Sequence, residues 1–223
     1  MGQILSGNVA TSLYWLGRYI ARTEVMLLQI TLAYDKIIDV EKEAGVVLYK
    51  KMGVDLEYVN AMDFLYSAIL GNHVANLNAT IGHAKENAII SRNYINIEAF
   101  GEIIALSALF KDASKKSIPV DYKFIDHVQS LINEIWGQFS KVKLRKKSDY
   151  FIRLGKFVEE VDFHLRFRND EHLVAVVLEE INSIIDILSD TKEIKITQNE
   201  LLYYGMENIM DVIHKKIEEI IVY

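Results

Sequence analysis

An all-α fold, a single helical bundle of about seven to eight helices, is what this sequence predicts, and three observations carry it. One proline and 11 glycines punctuate 223 residues, fewer turn-formers than a sheet protein of this length uses. Apolar residues recur at alternating steps of three and four, with no strand-like alternation beside them. The hydrophobic fraction is 51%, enough for a sizeable core.

The first helix begins after Asn8 or Thr11. Its stripe is Leu13, Leu16, Ile20, Thr23, Leu27, Ile30, Tyr34 and Ile37, a heptad pattern held over several turns. It ends near Glu43, and Gly45 and Gly53 bracket a loosely ordered connection. Asp55 to Leu70 reads as the next helix, stopped by Gly71-Asn72. Another covers Asn76 to Arg92, with Asn76 or Asn78 as N-cap. Asn96 caps a fourth, running through Phe100, Ile103, Ile104 and Leu106 to Phe110. The polar segment 111–117 reads as a loop. Pro119 then fits the first turn of a fifth helix, where its missing N–H costs nothing; Phe124, Val128, Leu131, Ile135 and Phe139 are its stripe. Ser148 is the expected cap of a sixth, with stripe Phe151, Leu154, Val158, Val161 and Leu165. Asn169-Asp170 breaks that pattern and caps a seventh through Leu188. Thr197 and Glu200 make a capping box for the last. With no low-complexity linker, residues 1–223 read as a single domain; a subdivision into two fused parts would fall near 111–118.

Composition narrows the functional classes. There is no cysteine, which removes disulfides, thiol catalysis and thiolate metal sites and fits a reducing compartment. The formal net charge is −6, whereas a protein that neutralises many phosphates carries a basic face. The one basic run, Lys141, Lys143, Arg145, Lys146 and Lys147, falls near an expected helix end, where cations complement the helix dipole. No apolar run approaches the ~18 residues of a membrane span. Residues 1–6 match a myristoylation pattern but read better as the approach to the first helix. Neither nucleic acid nor a membrane is an expected partner.

One phrase occurs twice. Leu16-Gly17-Arg18-Tyr19-Ile20-Ala21-Arg22-Thr23-Glu24 is echoed by Leu154-Gly155-Lys156-Phe157-Val158-Glu159-Glu160-Val161-Asp162. Such an internal repeat implies two helices in matched roles. Glycine inside a helix costs ~1 kcal/mol relative to alanine, and at Gly17 and Gly155 it would permit close helix approach. Ala21-Arg22 faces Glu159-Glu160 across the repeat, so Arg22 is expected to pair with Glu159 or Glu160. A second polar stretch places His83, Lys85, Glu86 and Asn87 on one helix, followed by Arg92. His83 and Glu86 at i, i+3 have metal-ligand spacing, but a dinuclear carboxylate site needs Glu-x-x-His on two helices and this chain has none. Asp211-x-x-His214 and Glu160 with His164 are the nearest approximations. No Gly-x-Ser-x-Gly elbow, Gly-rich phosphate loop or Walker motif occurs. No metal and no cofactor are expected.

At these residues the chain resembles the alpha-E family, an α-helical domain with a Glu-Arg motif. Ser12-Leu13-Tyr14-Trp15-Leu16-Gly17-Arg18-Tyr19-Ile20 is similar to the family's opening, with Ala21-Arg22-Thr23-Glu24 in place of Glu-Arg-Ala-Glu. Ala84-Lys85-Glu86-Asn87-Ala88 resembles Ala-Arg-Glu-Asn-Ala, and Arg92 fits the arginine that follows. The second copy keeps Glu159 of the later Glu-Arg pair and has Glu160 for the arginine. The resemblance implies a cytoplasmic prokaryotic protein with no established reaction. Family members tend to be encoded or fused with ATP-grasp-like and transglutaminase-like proteins. The expectation is a non-catalytic accessory or scaffold domain whose partner is such an enzyme, or another copy of itself, in peptide synthesis, modification or turnover. The alternative is an enzyme or small-ligand-binding protein with a polar site inside the bundle, drawn from Arg18, Arg22, Glu24, His83, Lys85, Glu86, Asn87, Arg92, Glu159, Glu160 and Asp162. Convergence of these in one concave pocket would favour that alternative; burial in mutual pairs would favour the scaffold.

Overall fold

The structure is a computed structural model that describes residues 5–141, 145–168, 170–189, 194–197, 205 and 208–222. Its regular elements, among those residues, are all helical: α1 (Gly7–Asp39), α2 (Ala44–Lys50), α3 (Ala61–Leu70), α4 (Leu77–Ile90), α5 (Ile97–Ser114), α6 (Tyr122–Ser140), α7 (Lys147–Phe163), a π turn (His164–Arg168), α8 (Glu171–Leu188) and α9 (Ile209–Val222). They form two compact units. The first joins Met1–Ala21 to Lys143–Tyr223, and the second is Arg22–Val142. Helix α1 contributes to both, and residues 111–118 fall inside the second. The myristoylation pattern at 1–6 lies largely outside the described residues. So does the capping box at Thr197 and Glu200, of which only Thr197 is described.

In the second unit the α1 stripe continues as read, with Thr23, Leu27, Ile30, Tyr34 and Ile37 all buried. Local chemistry sets most starts. Asn60, Asn76, Asn96 and Asp121 each accept a hydrogen bond from the backbone N–H three residues on, which satisfies one orphan donor of the first turn. Two expectations are corrected by this. The third helix starts at Ala61 rather than Asp55, because Asn60 caps it and the Asp63 carboxylate takes the Val59 N–H at 2.9 Å. The sixth starts at Tyr122, so Pro119 precedes the helix and Asp121 is its cap.

The expected loose connection at 44–54 instead holds a short helix. Gly45 is a packing glycine there: a Cβ on it would lie 2.5 Å from the Phe64 ring, and its N–H donates to the Tyr58 hydroxyl at 3.0 Å. Gly53, with φ +70°, makes the chain reversal. Tyr49 is wholly buried, and its hydroxyl donates to the Ala68 carbonyl at 2.9 Å; burial pushes its phenol up. Helix α5 also outruns its expected end, continuing to Ser114 before Lys116 turns the chain in the left-handed region at φ 58°.

In the first unit α1 meets α7 through Gly17 and Gly155. A Cβ on Gly17 would lie 2.0 Å from the Ile152 carbonyl oxygen, and one on Gly155 would lie 2.0 Å from the Tyr14 carbonyl oxygen. Each glycine therefore abuts the other helix's backbone three residues before its counterpart. Helix α7 begins at Lys147, with the Lys146 N–H donating to the Asp149 carboxylate at 2.7 Å; Ser148, the expected cap, is buried in the first turn. Its stripe is buried at Phe151, Leu154, Val158 and Val161, but Leu165 is only half-buried. The π turn is the reason: its wider winding shifts the register, and His164 takes the buried position. Asp170 caps α8 through the Leu173 N–H at 3.1 Å. The Asn182 amide holds Ile196 by two 2.9 Å bonds, one to its N–H and one to its carbonyl. Helix α9 buries Ile209, Val212, Ile213, Ile217 and Ile220, steps of three and four that mark one apolar face.

Candidate functional site

The glycine contact sets the site. With Gly155 against the backbone of Tyr14 and Arg18, the side chain one turn further along α7 is Glu159, and it meets Arg18. Arg18 Nη2 lies 2.9 Å from Glu159 Oε2, and Nε donates to the same oxygen at 3.0 Å. Both residues are deeply buried, at 4% and 5% exposure. The remaining guanidinium arm, Nη1, lies 3.1 Å from His214 Nε2 on α9. Arginine only donates, so His214 accepts at Nε2 and its proton is on Nδ1. Burial pushes the His214 imidazole below its usual range, and the Arg18 charge adds to that; Asp162, Asp211 and Glu218 pull the other way.

Aromatic rings line the arginine. Its guanidinium carbon lies 5.0 Å from the Trp15 ring centre and 5.9 Å from that of Tyr14, within cation–π range. Tyr19 stacks on Trp15 at 5.5 Å. Around this knot, Asp162 pairs with Arg166 at 3.0 Å. His164 is buried, 3.9 Å from Glu160 Oε1 at Nε2, and its Nδ1 meets no hydrogen-bonding partner among the described residues.

The other candidate residues belong to the second unit. Arg22 and Glu24, one turn further along α1, are half-buried. Glu24 accepts from the Trp136 indole N–H at 2.9 Å. On α4, His83 and Glu86 are exposed and 3.8 Å apart, Lys85 and Asn87 are half-buried, and Arg92 beyond the helix is exposed. The Asn87 amide donates to the His83 carbonyl at 2.9 Å. Its own carbonyl accepts from the Ser91 hydroxyl at 2.7 Å. The eleven candidates are thus divided. Arg18, Glu159, Glu160 and Asp162 share the first unit, and the other seven share the second.

Sequence reading missed His214 as a partner of Arg18. Its only signal was the apolar spacing of α9, which says that the helix docks but not which polar residue it brings. The knot's chemistry is that of a held charge. Arg18 donates into a carboxylate and an imidazole, and His214 has its acceptor nitrogen engaged by the guanidinium while that contact holds. Among the described residues, no three His, Asp or Glu side chains converge to hold a metal ion, and no helix is long and apolar enough to cross a membrane.

Compared with curated proteins and with solved structures, the chain finds no match. A family model does match, over residues 5–195, and its description is a predicted alpha-helical domain with a conserved ER motif. That span takes in α1 through α8 with both glycine helices and Arg18 and Glu159, and on it the chain belongs to the Alpha-E family.

Proposed function

We propose that the chain is a non-catalytic helical accessory or scaffold domain, acting in the cytoplasm beside an ATP-grasp-like or transglutaminase-like enzyme in peptide synthesis, modification or turnover. The observation that carries this reading is the burial of Arg18 and Glu159 against one another. A ligand-binding arginine keeps donors directed at an open cleft. This one directs them into a carboxylate and an imidazole of its own chain, which stiffens a helix crossing. The exposed polar residues on and just beyond α4, His83, Glu86 and Arg92, suit a solvated or partner-facing surface better than a reaction centre.

The test is co-purification of the tagged chain with whatever ATP-grasp-like and transglutaminase-like proteins its gene neighbourhood encodes. A complex surviving gel filtration at micromolar concentration is expected. Failure of every such neighbour to associate, together with turnover of a peptide substrate by the isolated chain, would sink the scaffold reading.

A further inference from the structure

Helix α9 lies beyond the stretch matched by the family model, which stops at residue 195, yet it supplies the third contact of the buried Arg18. Its path is fixed at two points. A Cβ on Gly7, at the start of α1, would lie 3.0 Å from the Ile221 carbonyl oxygen, and His214 meets Arg18. As α1 advances from 7 to 18, α9 retreats from 221 to 214, so the two run in opposite senses. Along α9 the apolar face is buried while Asp211, Lys215 and Glu218 are exposed. The apolar face provides most of the docking energy and is blind to pH. The helix's imidazole is a polar contact with the buried pair, His214 Nε2 lying 3.1 Å from Arg18 Nη1.

The geometry points to His214 as a proton-operated latch that holds α9 against the Arg18–Glu159 pair and loosens when the imidazole is protonated. Neutral, it accepts from Arg18 at 3.1 Å. Protonated, it has no acceptor at Nε2 and sets a second cation against the guanidinium. The charged groups acting on it are Arg18 from α1, Asp162 from α7, and Asp211 and Glu218 on α9 itself. The three carboxylates favour protonation, but Asp162 is already paired to Arg166 at 3.0 Å, and Asp211 and Glu218 are exposed, where solvent screens them. Arg18 opposes protonation at contact distance and in a buried setting.

The sign follows. A histidine whose folded pKa is lowered binds fewer protons when docked than when free. Its contribution to docking is fully present above the unfolded value of about 6.5 and is lost as pH falls through the folded value. Acidification therefore raises the population of undocked α9, with the other helices of the unit still folded.

Amide hydrogen exchange of the full chain tests this, with protection of residues 209–222 compared with that of α8 at pH 7.5 and pH 5, after correction for intrinsic exchange. In the wild type, opening of 209–222 should become several-fold more frequent at the lower pH, and α8 should change little. His214→Gln keeps an acceptor oxygen near the Nε2 position without a titrating group, so its exchange in 209–222 should be the same at both values. Unchanged wild-type protection across that range would overturn the latch. So would an equal pH response in His214→Gln, which would trace the effect to another group.

Discussion

Glu159 on α7 and Glu86 on α4 each follow a glycine by four residues, Gly155 and Gly82. Their fates differ. Glu159 is buried and 2.9 Å from Arg18, whereas Glu86 is exposed and 3.8 Å from His83. The glycines explain it. Gly155 lies against the backbone of a second helix, while nothing lies within 4 Å of where a Cβ on Gly82 would be. A short carboxylate reaches a partner on another helix only where the backbones come close. The Gly-x-x-x-Glu spacing carries no role by itself; what gives it one is a facing helix with its own glycine, here Gly17.

The largest expected effect separates the two glutamates directly. Glu159→Ala strands a buried guanidinium and should cost about 3–5 kcal/mol in urea unfolding. Glu86→Ala should stay within about 0.5 kcal/mol; similar losses at both sites would erase the distinction. Next come the glycines. A Cβ at position 155 has a carbonyl oxygen, not a flexible side chain, in its way, so Gly155→Ala should lose about 2–3 kcal/mol despite the better helix propensity of alanine. Gly82→Ala adds its methyl to open space inside a helix and should gain about 0.5–1 kcal/mol. A gain at both positions would show that the helices do not meet at Gly155. The smaller test lies in the second unit, where Trp136→Phe removes the donor to Glu24. A loss of about 1–2 kcal/mol by thermal melting is expected, since the acceptor is charged but half-buried and partly reachable by water. A loss as large as that of Glu159→Ala would mean that the second unit has a comparable knot of its own.

Much of this fold was legible in the sequence, and the misreadings have physical causes. The whole α1 stripe from Leu13 to Ile37 is buried as its spacing predicts, because a continuous α-helix keeps its period. The α7 stripe held through Val161 and failed at Leu165, where a π turn inserts extra winding that no local residue type announces. Gly45 reads in the sequence as the edge of a loosely ordered connection, since nothing nearby in the chain reveals that the Phe64 ring needs its bare backbone. Asn96 is legible as a cap, and Asn76 and Asp170 each as one of two candidates, because the side-chain oxygen acts three residues away. Asp121 was overlooked behind the more conspicuous Pro119. At the candidate site, the glycine contact was readable, and Arg18 as a partner of Glu159 was not. The crossing at Gly155 abuts the backbone of Arg18, one turn before Arg22, and this brings Glu159 to Arg18.

A double-mutant cycle on Arg18→Met and Glu159→Gln, read by urea unfolding, bears most directly on the claim that these two residues form one buried structural unit. A coupling energy of at least about 2 kcal/mol is predicted, with the double variant little worse than the worse single one. Losses that add to within about 0.5 kcal/mol would show that the two charges act independently and would contradict it.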